Sequence, residues 1–384
     1  NKKRNKMVST KANKHKTKVL RSKKNSKKVN ITMIRRIVQI IAFILLVYGG
    51  FFIPFTHVDS FIIPFIKSPE RTSVKMDHLN PHTEYETVFD AYFPSRTCRY
   101  LGSEVRTFRA CAMHFLTEVP IYGIPFRDFL PHFFLFLILA FLFSRVLCGW
   151  VCPLGAIQDF FNWIRVKIGL NKLKLPRFFL NAFEKFRYFW LAFLFIMAVA
   201  IVIPFLGLIP LQKDLNILTC NTCPGRIVFP LLTGDVSGWW LFSSPLHAAI
   251  SILGLLFFIS FLLSFFGKRF WCKLCPTGAL LSLFNKGSAI TKQKDAKKCT
   301  KCGICERVCP MSQKKVFQEK KKKFVNAFNC INCFRCIDKC PEDDCLEVKF
   351  FKWTIFKSKY SKKKNKNENK SKNVKKKLKT CLFF

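Results

Sequence analysis

Four stretches of the chain are nearly uncharged apolar runs of about twenty residues: 37–55, 129–147, 186–208 and 246–266. A helix rises about 1.5 Å per residue, so each run is long enough to cross about 30 Å of hydrocarbon. A single run could be a buried core helix, but four of them, rich in Phe, Leu and Ile, predict membrane insertion. Pro131 and Pro204 fall near the ends of their runs. The first run is long for a signal core and no small-residue cleavage site follows it, so it reads as a retained span.

The polar stretches between the runs set the orientation. Residues 1–28 hold thirteen Lys or Arg and no acid, and 357–384 hold twelve Lys against Glu368. Both read as disordered segments on an anionic surface. The stretch 148–185 carries Arg165, Lys167, Lys172, Lys174, Arg177 and Lys185 against Asp159 and Glu184, whereas 209–243 has only Lys213 and Arg226 as cations. Basic residues stay on the cytoplasmic side, so four spans place both termini, and everything after 267, in the cytoplasm. The expected division is a basic segment 1–33, a four-span membrane domain 34–285, a globular unit 286–350 and a lysine-rich tail 351–384.

Composition agrees with that segregation: half of the 384 residues are apolar, yet the formal net charge is +43. Such charge also suits nucleic acid, but the cations flank apolar spans and no recognition motif accompanies them, so no specific nucleic-acid partner is expected. The membrane lipid is the expected partner of the spans and basic segments.

Eighteen cysteines change the picture further. Eight form two identical runs: Cys299-x2-Cys302-x2-Cys305-x3-Cys309-Pro310, and Cys330-x2-Cys333-x2-Cys336-x3-Cys340-Pro341, the second offset from the first by 31 residues. Soft thiolates in this spacing suit [4Fe–4S] clusters, and in such duplicated units the fourth cysteine ligates the other cluster. One cluster is therefore assigned Cys299, Cys302, Cys305 and Cys340, and the other Cys330, Cys333, Cys336 and Cys309. Zinc knuckles use two Cys-x2-Cys pairs and leave the regular third and fourth positions unexplained. The expected globular unit is an α+β two-[4Fe–4S] ferredoxin-like domain.

A second repeat lies beside the membrane: Cys148-Gly-Trp-Val-Cys152-Pro153-Leu-Gly155-Ala156 and Cys272-Lys-Leu-Cys275-Pro276-Thr-Gly278-Ala279. Each follows a span that ends on the cytoplasmic side, so Cys148, Cys152, Cys272 and Cys275 are expected to converge there, as a third metal or cluster site or as a dithiol relay.

These spans, Cys-Pro pairs and double cluster run together resemble the membrane polyferredoxin family of NapH, the membrane part of NosR and the FixG/CcoG group, over roughly residues 34–350. The second pair, Cys-x2-Cys-Pro, is one residue shorter than the family's Cys-x3-Cys-Pro. The resemblance implies a membrane-bound electron-transfer subunit, a component of a quinol dehydrogenase or oxidoreductase complex, working between a quinol pool or cytoplasmic donor and redox partner subunits. The alternative it implies is a redox or metal sensor like NosR, or an assembly factor like CcoG. Lys314, Lys315 and Lys320 to Lys323 would favour an acidic partner such as a soluble ferredoxin or flavodoxin.

Cys98, Cys111, Cys220 and Cys223 are expected on the outer side, where disulfides are the ordinary reading and a four-cysteine metal or cluster site the sharper one. Cys345 reads as a spare thiol. His57, His78, His82, His114, His132 and His247 also fall on the outer half; His132 and His247, each near the start of an inward-running span, invite comparison with haem or quinol sites.

Overall fold

The computed structural model describes residues 30–52, 89–101, 105, 107–117, 126–171, 176–202, 218–234, 244–321 and 323–359. The basic segment 1–28, the lysines beyond 359, and His57, His78 and His82 lie outside the described residues.

The first apolar run forms α1 (Ile31–Phe52), about 33 Å long at 1.5 Å per residue. Its start is set by Asn30, whose Oδ1 accepts from Met33 N at 3.2 Å, a side-chain cap of an otherwise orphan amide. One face buries Thr32, Arg35, Gln39 and Val47, while Ile37, Ile40, Ile41 and Ile44 point outward. A parallel strand pair follows, β1 (Phe89–Phe93) and β2 (Phe108–Cys111), then α2 (Ala112–Thr117).

The second run forms α3 (Phe126–Phe143), broken at Ser144, whose φ of 43° takes the backbone out of the helical region. The chain re-enters as α4 (Val146–Trp150) and α5 (Pro153–Ile168). Gly169, at φ 82°, ends α5 in the left-handed conformation that closes many helices. The third run, as far as residue 202, lies within α6 (Arg177–Val202), and 203–208 fall outside the described residues. Two short helices, α7 (Leu218–Asn221) and α8 (Gly225–Thr233), precede the fourth run, α9 (Pro245–Leu262). Ser244 caps α9, accepting from His247 N at 3.2 Å, with Pro245 at its first turn. Beyond a 3-10 turn comes α10 (Pro276–Leu283).

Ile31–Phe52 and Pro245–Phe265 are each long and apolar enough to cross a membrane, and Phe129–Phe143 is a shorter apolar helix. The outward stripes Phe134, Ile138, Phe141 on α3, Phe189, Ile196, Val199 on α6 and Ile252, Leu256, Ile259 on α9 are likewise exposed. Stripes at helical spacing, unmatched by polar neighbours, are what lipid contact leaves uncovered. The protein is membrane-associated.

The globular unit is a four-stranded antiparallel sheet in the order β4 (Lys323–Phe324), β3 (Ile290–Lys294), β5 (Leu346–Phe350), β6 (Trp353–Lys357). The expected boundary at 350 falls inside this sheet: Phe351, at φ 49°, makes the hairpin turn that returns β6 along β5. Three one-turn helices, α11 (Ile304–Arg307), α12 (Lys315–Gln318) and α13 (Arg335–Asp338), complete the unit.

A buried ion cluster holds the unit against the helices. Asp159 of α5 is met by Arg269 at 2.7 Å, Arg35 of α1 at 3.1 Å and Arg335 of α13 at 3.8 Å. Thr32 donates to Asp338 at 2.7 Å, and Trp150 Nε1 to Asn332 O at 3.0 Å. At Gly149 the approach is so close that a Cβ would lie 2.2 Å from Ile331 O.

Candidate metal centres

Each cysteine run wraps a loop whose turns need the left-handed region. Lys301 and Gly303 in the first loop have φ of 54° and 71°; Asn332 and Phe334, 31 residues on, have 48° and 55°. Non-glycine residues adopt this region at a cost of about 1–3 kcal/mol each, tolerated where the surroundings dictate it. The repeat of the strain at equivalent positions marks two loops folded around equivalent centres. α11 carries Cys305 and leads to Cys309, and α13 carries Cys336 and leads to Cys340.

Cys299, Cys302, Cys305 and Cys340 line one cavity. Cys309 lies within electrostatic reach of Cys330 and Cys333, and Cys336 of all three. The crossed grouping expected from spacing is thus the spatial grouping. Among the described residues no three His, Cys, Asp or Glu side chains are placed to hold a single metal ion. Four thiols lining one cavity suit a cube, which takes one thiolate at each iron.

Electrostatics differ among these thiols. Burial pushes Cys309 up to about 12, with Cys330 and Cys333 adding to it, and pushes Cys305 up to about 11 despite the nearby Lys294. Cys330 is the exception: burial raises it, but the Lys292 ammonium, 2.6 Å from its sulfur, more than offsets this and its pKa is lowered. Lys292 and Lys294 alternate along β3 and share its inner face; both are buried, and Lys294 lines the first cavity while donating to the carbonyls of Val316, Phe317 and Glu319.

The two Cys-Pro pairs meet. Cys148, Cys152, Cys272 and Cys275 line a single cavity. Cys152 and Cys275 cap their helices with nearly the same backbone, φ/ψ −58°/120° and −59°/121°, each followed by proline at the first turn. The halves also exchange arginines: Arg145 Nη2 donates to Cys272 O at 3.4 Å, and Arg269 Nη1 to Cys148 O at 2.6 Å. The sequence carries this signal, since each arginine stands three residues before the first cysteine of its pair. The missing residue in the second pair is absorbed without loss of convergence.

This cavity is furnished for an anionic occupant. Gln158 Nε2 approaches Cys272 Sγ at 3.5 Å and Arg96 Nη2 approaches Cys275 Sγ at 3.8 Å. Arg145 Nε and Nη1, Trp271 Nε1 and Thr277 Oγ1 are buried with no hydrogen-bond partner among the described residues. Buried donors left unmatched are costly; four thiolates with bridging sulfides would accept from them. Burial pushes Cys148 up to about 12 and Cys272 up to about 11, so an occupant of either must displace protons.

The centres adjoin. Cys272, Met311, Ile331 and Cys333 pack as one cluster, with Cys148 and Cys309 against it. Cys345, expected as a spare thiol, is buried and lines the first cavity with Cys340 and Cys299, its Sγ donating to Asp295 O at 3.6 Å. Cys98, Cys111, Cys220 and Cys223 are buried, and Cys223 and Cys111 lie near Cys275, not remote from it. His132 is buried against the Phe115 ring, centroids 5.6 Å apart, whereas His247 is half-buried at the start of α9. His114 Nε2 lies 2.9 Å from Arg99 Nη1.

The 4Fe-4S binding domain family matches residues 132–171 and 249–294, the two Cys-Pro halves. The 4Fe-4S dicluster domain family matches 291–341. The protein binds two [4Fe–4S] clusters in its ferredoxin-type part. An uncharacterised protein of Methanocaldococcus jannaschii is 32% identical over 208 residues, covering 54% of this chain and 73% of that one. Ferredoxin-type protein NapH of Haemophilus influenzae is 30% identical over 220 residues, 53% of this chain and 62% of NapH. Regulatory protein NosR of Pseudomonas aeruginosa is 23% identical over 201 residues, 51% of this chain and 24% of NosR. The chain thus spans under two thirds of NapH, and no solved structure matches it. With the paired Cys-Pro halves, the crossed thiol sets and these relatives together, the chain belongs to the NapH/NosR-type polyferredoxin family.

Proposed function

We propose that the chain is the membrane-bound subunit of an electron-transfer complex, passing electrons between a quinol pool or a cytoplasmic donor and a redox partner. The observation that carries this is the packing of Cys148 and Cys272 against Cys309 and Cys333 around Met311 and Ile331, which sets the thiol groups in a row. Cys299, Cys302, Cys305 and Cys340 would hold one [4Fe–4S] cluster, and Cys309, Cys330, Cys333 and Cys336 the other. Cys148, Cys152, Cys272 and Cys275 would hold a third. When bound, such clusters supply one-electron chemistry whose potential is set by net charge, hydrogen bonds and burial.

The other residues serve that row. Lys292 and Lys294 offset thiolate charge from below, and Asp159 with its three arginines fixes the distance between the ferredoxin unit and the helices. Cys302 is exposed at the far end, among exposed Lys297, Lys298 and Lys301. With Lys315, Lys320 and Lys321 nearby, this rim favours an acidic partner such as a soluble ferredoxin or flavodoxin.

The reading includes four spans, with both termini and the ferredoxin unit cytoplasmic. The outward apolar stripes on α1, α3, α6 and α9 and the distribution of Lys and Arg support it. The test is anaerobic: membranes carrying the protein are mixed with a reduced quinol analogue and cluster absorption is followed. Bleaching with quinol oxidation supports an electron-transfer subunit; cluster reduction by neither quinol nor reduced ferredoxin overturns it.

A further inference from the structure

The cysteines outside these three groups form a pattern of their own. Three stretches, 93–101, 107–117 and 218–234, fold in among the long helices rather than lying beyond them. Asn221 O sits against the middle of α9, where a Cβ on Gly254 would come within 2.6 Å of it. Thr107 Oγ1 hydrogen-bonds Leu45 O in α1, and Gly50 N bonds Val105 O at 3.0 Å. Irregular backbone at that depth belongs where it is buried in protein or lines a site.

From these contacts we infer that Cys98, Cys111, Cys220 and Cys223 form a fourth four-thiolate site, one that takes an iron–sulfur cluster. The three segments carrying them are tied together side chain to side chain. Thr117 Oγ1 and Thr219 Oγ1 are 2.9 Å apart, and Tyr100 OH donates to Asn221 Oδ1 at 2.7 Å. Cys98 Sγ donates to Gly225 O at 3.5 Å, while Gly225 N donates to Cys223 Sγ at 3.3 Å, so the two sulfurs flank one residue. Cys220 lies one turn before Cys223, whose N bonds Cys220 O at 3.0 Å. Cys111, at the end of β2, is close enough to Cys223 to act on its charge.

The surroundings call for negative charge. Arg96 is 4% exposed, and among the described residues Cys223, Cys275 and Cys111 are the groups whose charge acts on it most. A buried guanidinium needs an anion. Arg96 Nε, Ser95 Oγ and Thr97 Oγ1 are buried without a hydrogen-bond partner among the described residues, and all three residues are more than nine-tenths buried. Ser95 and Arg96 also line the cavity of Cys148, Cys152, Cys272 and Cys275, so they stand between the two groups of thiols; a four-thiolate cluster, anionic and accepting hydrogen bonds at sulfur, would meet Arg96 and Thr97 from the side of Cys111 and Cys223. Arg96 also reaches Cys275 of the neighbouring cavity, so the fourth site continues the row of thiol groups into the helical bundle. The inference stands apart from the third centre proposed above, since neither uses the other's ligands.

The test is a count of irons on the intact protein, purified anaerobically and weighed by native mass spectrometry, with Mössbauer spectra of 57Fe-labelled protein as a measurement that needs no variant. Four clusters of the cubane type give about 16 irons per chain. Cys111→Ser with Cys223→Ser should lower the count by about four and remove one spectral component, and Cys148→Ser with Cys272→Ser should remove a different one. If the third centre fails and the fourth holds, the wild type carries about 12 irons, the first pair of substitutions lowers that to about 8, and the second pair changes nothing. Stoichiometric zinc, disulfides among the four cysteines in the purified protein, or iron content unaffected by the first pair would each overturn the inference.

Discussion

The ammonium of Lys292 lies 2.6 Å from the sulfur of Cys330, on a side chain only 1% exposed. A buried cation on one ligand stabilises the reduced, more negative form of a cluster over the oxidised form. Lys292→Met should therefore lower the potential of the cluster proposed at Cys309, Cys330, Cys333 and Cys336. Hydrogen bonds to charged groups contribute about 1.5–3 kcal/mol, and a one-electron couple shifts about 59 mV per 1.4 kcal/mol, so the fall is about 60–130 mV. Potentiometric EPR reads it; an unshifted signal would mean that Lys292 merely fills space.

Cys345 gives a contrasting case beside the other cluster. Burial and the neighbouring Cys340 and Cys299 push its thiol well above the usual range, so it stays an S–H group against two ligands. Such weak hydrogen bonds contribute about 0.3–0.7 kcal/mol. Cys345→Ala should leave iron content unchanged and lower that cluster's potential by about 10–30 mV. Loss of iron in this variant would instead make Cys345 a ligand.

Repeats were legible before any coordinates, because a fixed spacing of soft ligands constrains chemistry more tightly than it constrains shape. The offset of 31 residues between the two runs already implied a duplicated unit, and Cys-Pro-x-Gly-Ala twice implied two like helix starts. Less legible were the groups that serve the thiols through space. Lys292 and Lys294 look like ordinary strand lysines until β3 turns them under the cysteines, and Arg96 lies far in sequence from Cys275. Also illegible was how closely the segments of Cys98, Cys111, Cys220 and Cys223 pack on the helices, because hydropathy counts assign every polar stretch between spans to water. Contacts such as Asn221 O with Gly254 show backbone folded back into the bundle, which no window average reports.

Asp159 governs how the ferredoxin unit is held. Burial pushes its carboxyl up, but Arg269, Arg35 and Arg335 outweigh that and hold it well below the usual range. Stability from a depressed carboxyl is fully present above its unfolded pKa of about 4 and is lost as pH falls through the folded value. Asp159→Asn leaves buried guanidinium groups without their anion and should cost about 3–5 kcal/mol at neutral pH. Thermal unfolding in detergent should show the loss at pH 7, and a much smaller difference between wild type and variant in strong acid. Equal stability at pH 7 would assign the docking to the neutral hydrogen bonds of Thr32 and Trp150.

Gly149 isolates the contact between the two halves of the proposed row. It sits inside α4 with its N bonded to Arg145 O at 3.2 Å, in a conformation that alanine adopts readily. Alanine would favour the helix itself by up to about 1 kcal/mol. The added Cβ would nevertheless fall 2.2 Å from Ile331 O and 3.7 Å from Cys333 N, so the loop carrying Cys330 and Cys333 must move away from Cys148 and Cys272. Overpacking of this kind costs about 1–3 kcal/mol. Gly149→Ala should therefore keep its irons, since no ligand changes, yet open the junction: amide exchange at residues 331–333 should rise about 5- to 150-fold. Magnetic coupling between the adjoining centres should weaken in parallel. Unchanged exchange and coupling would mean that the ferredoxin unit is placed by its ion cluster alone, with the backbone contact at Gly149 incidental to it.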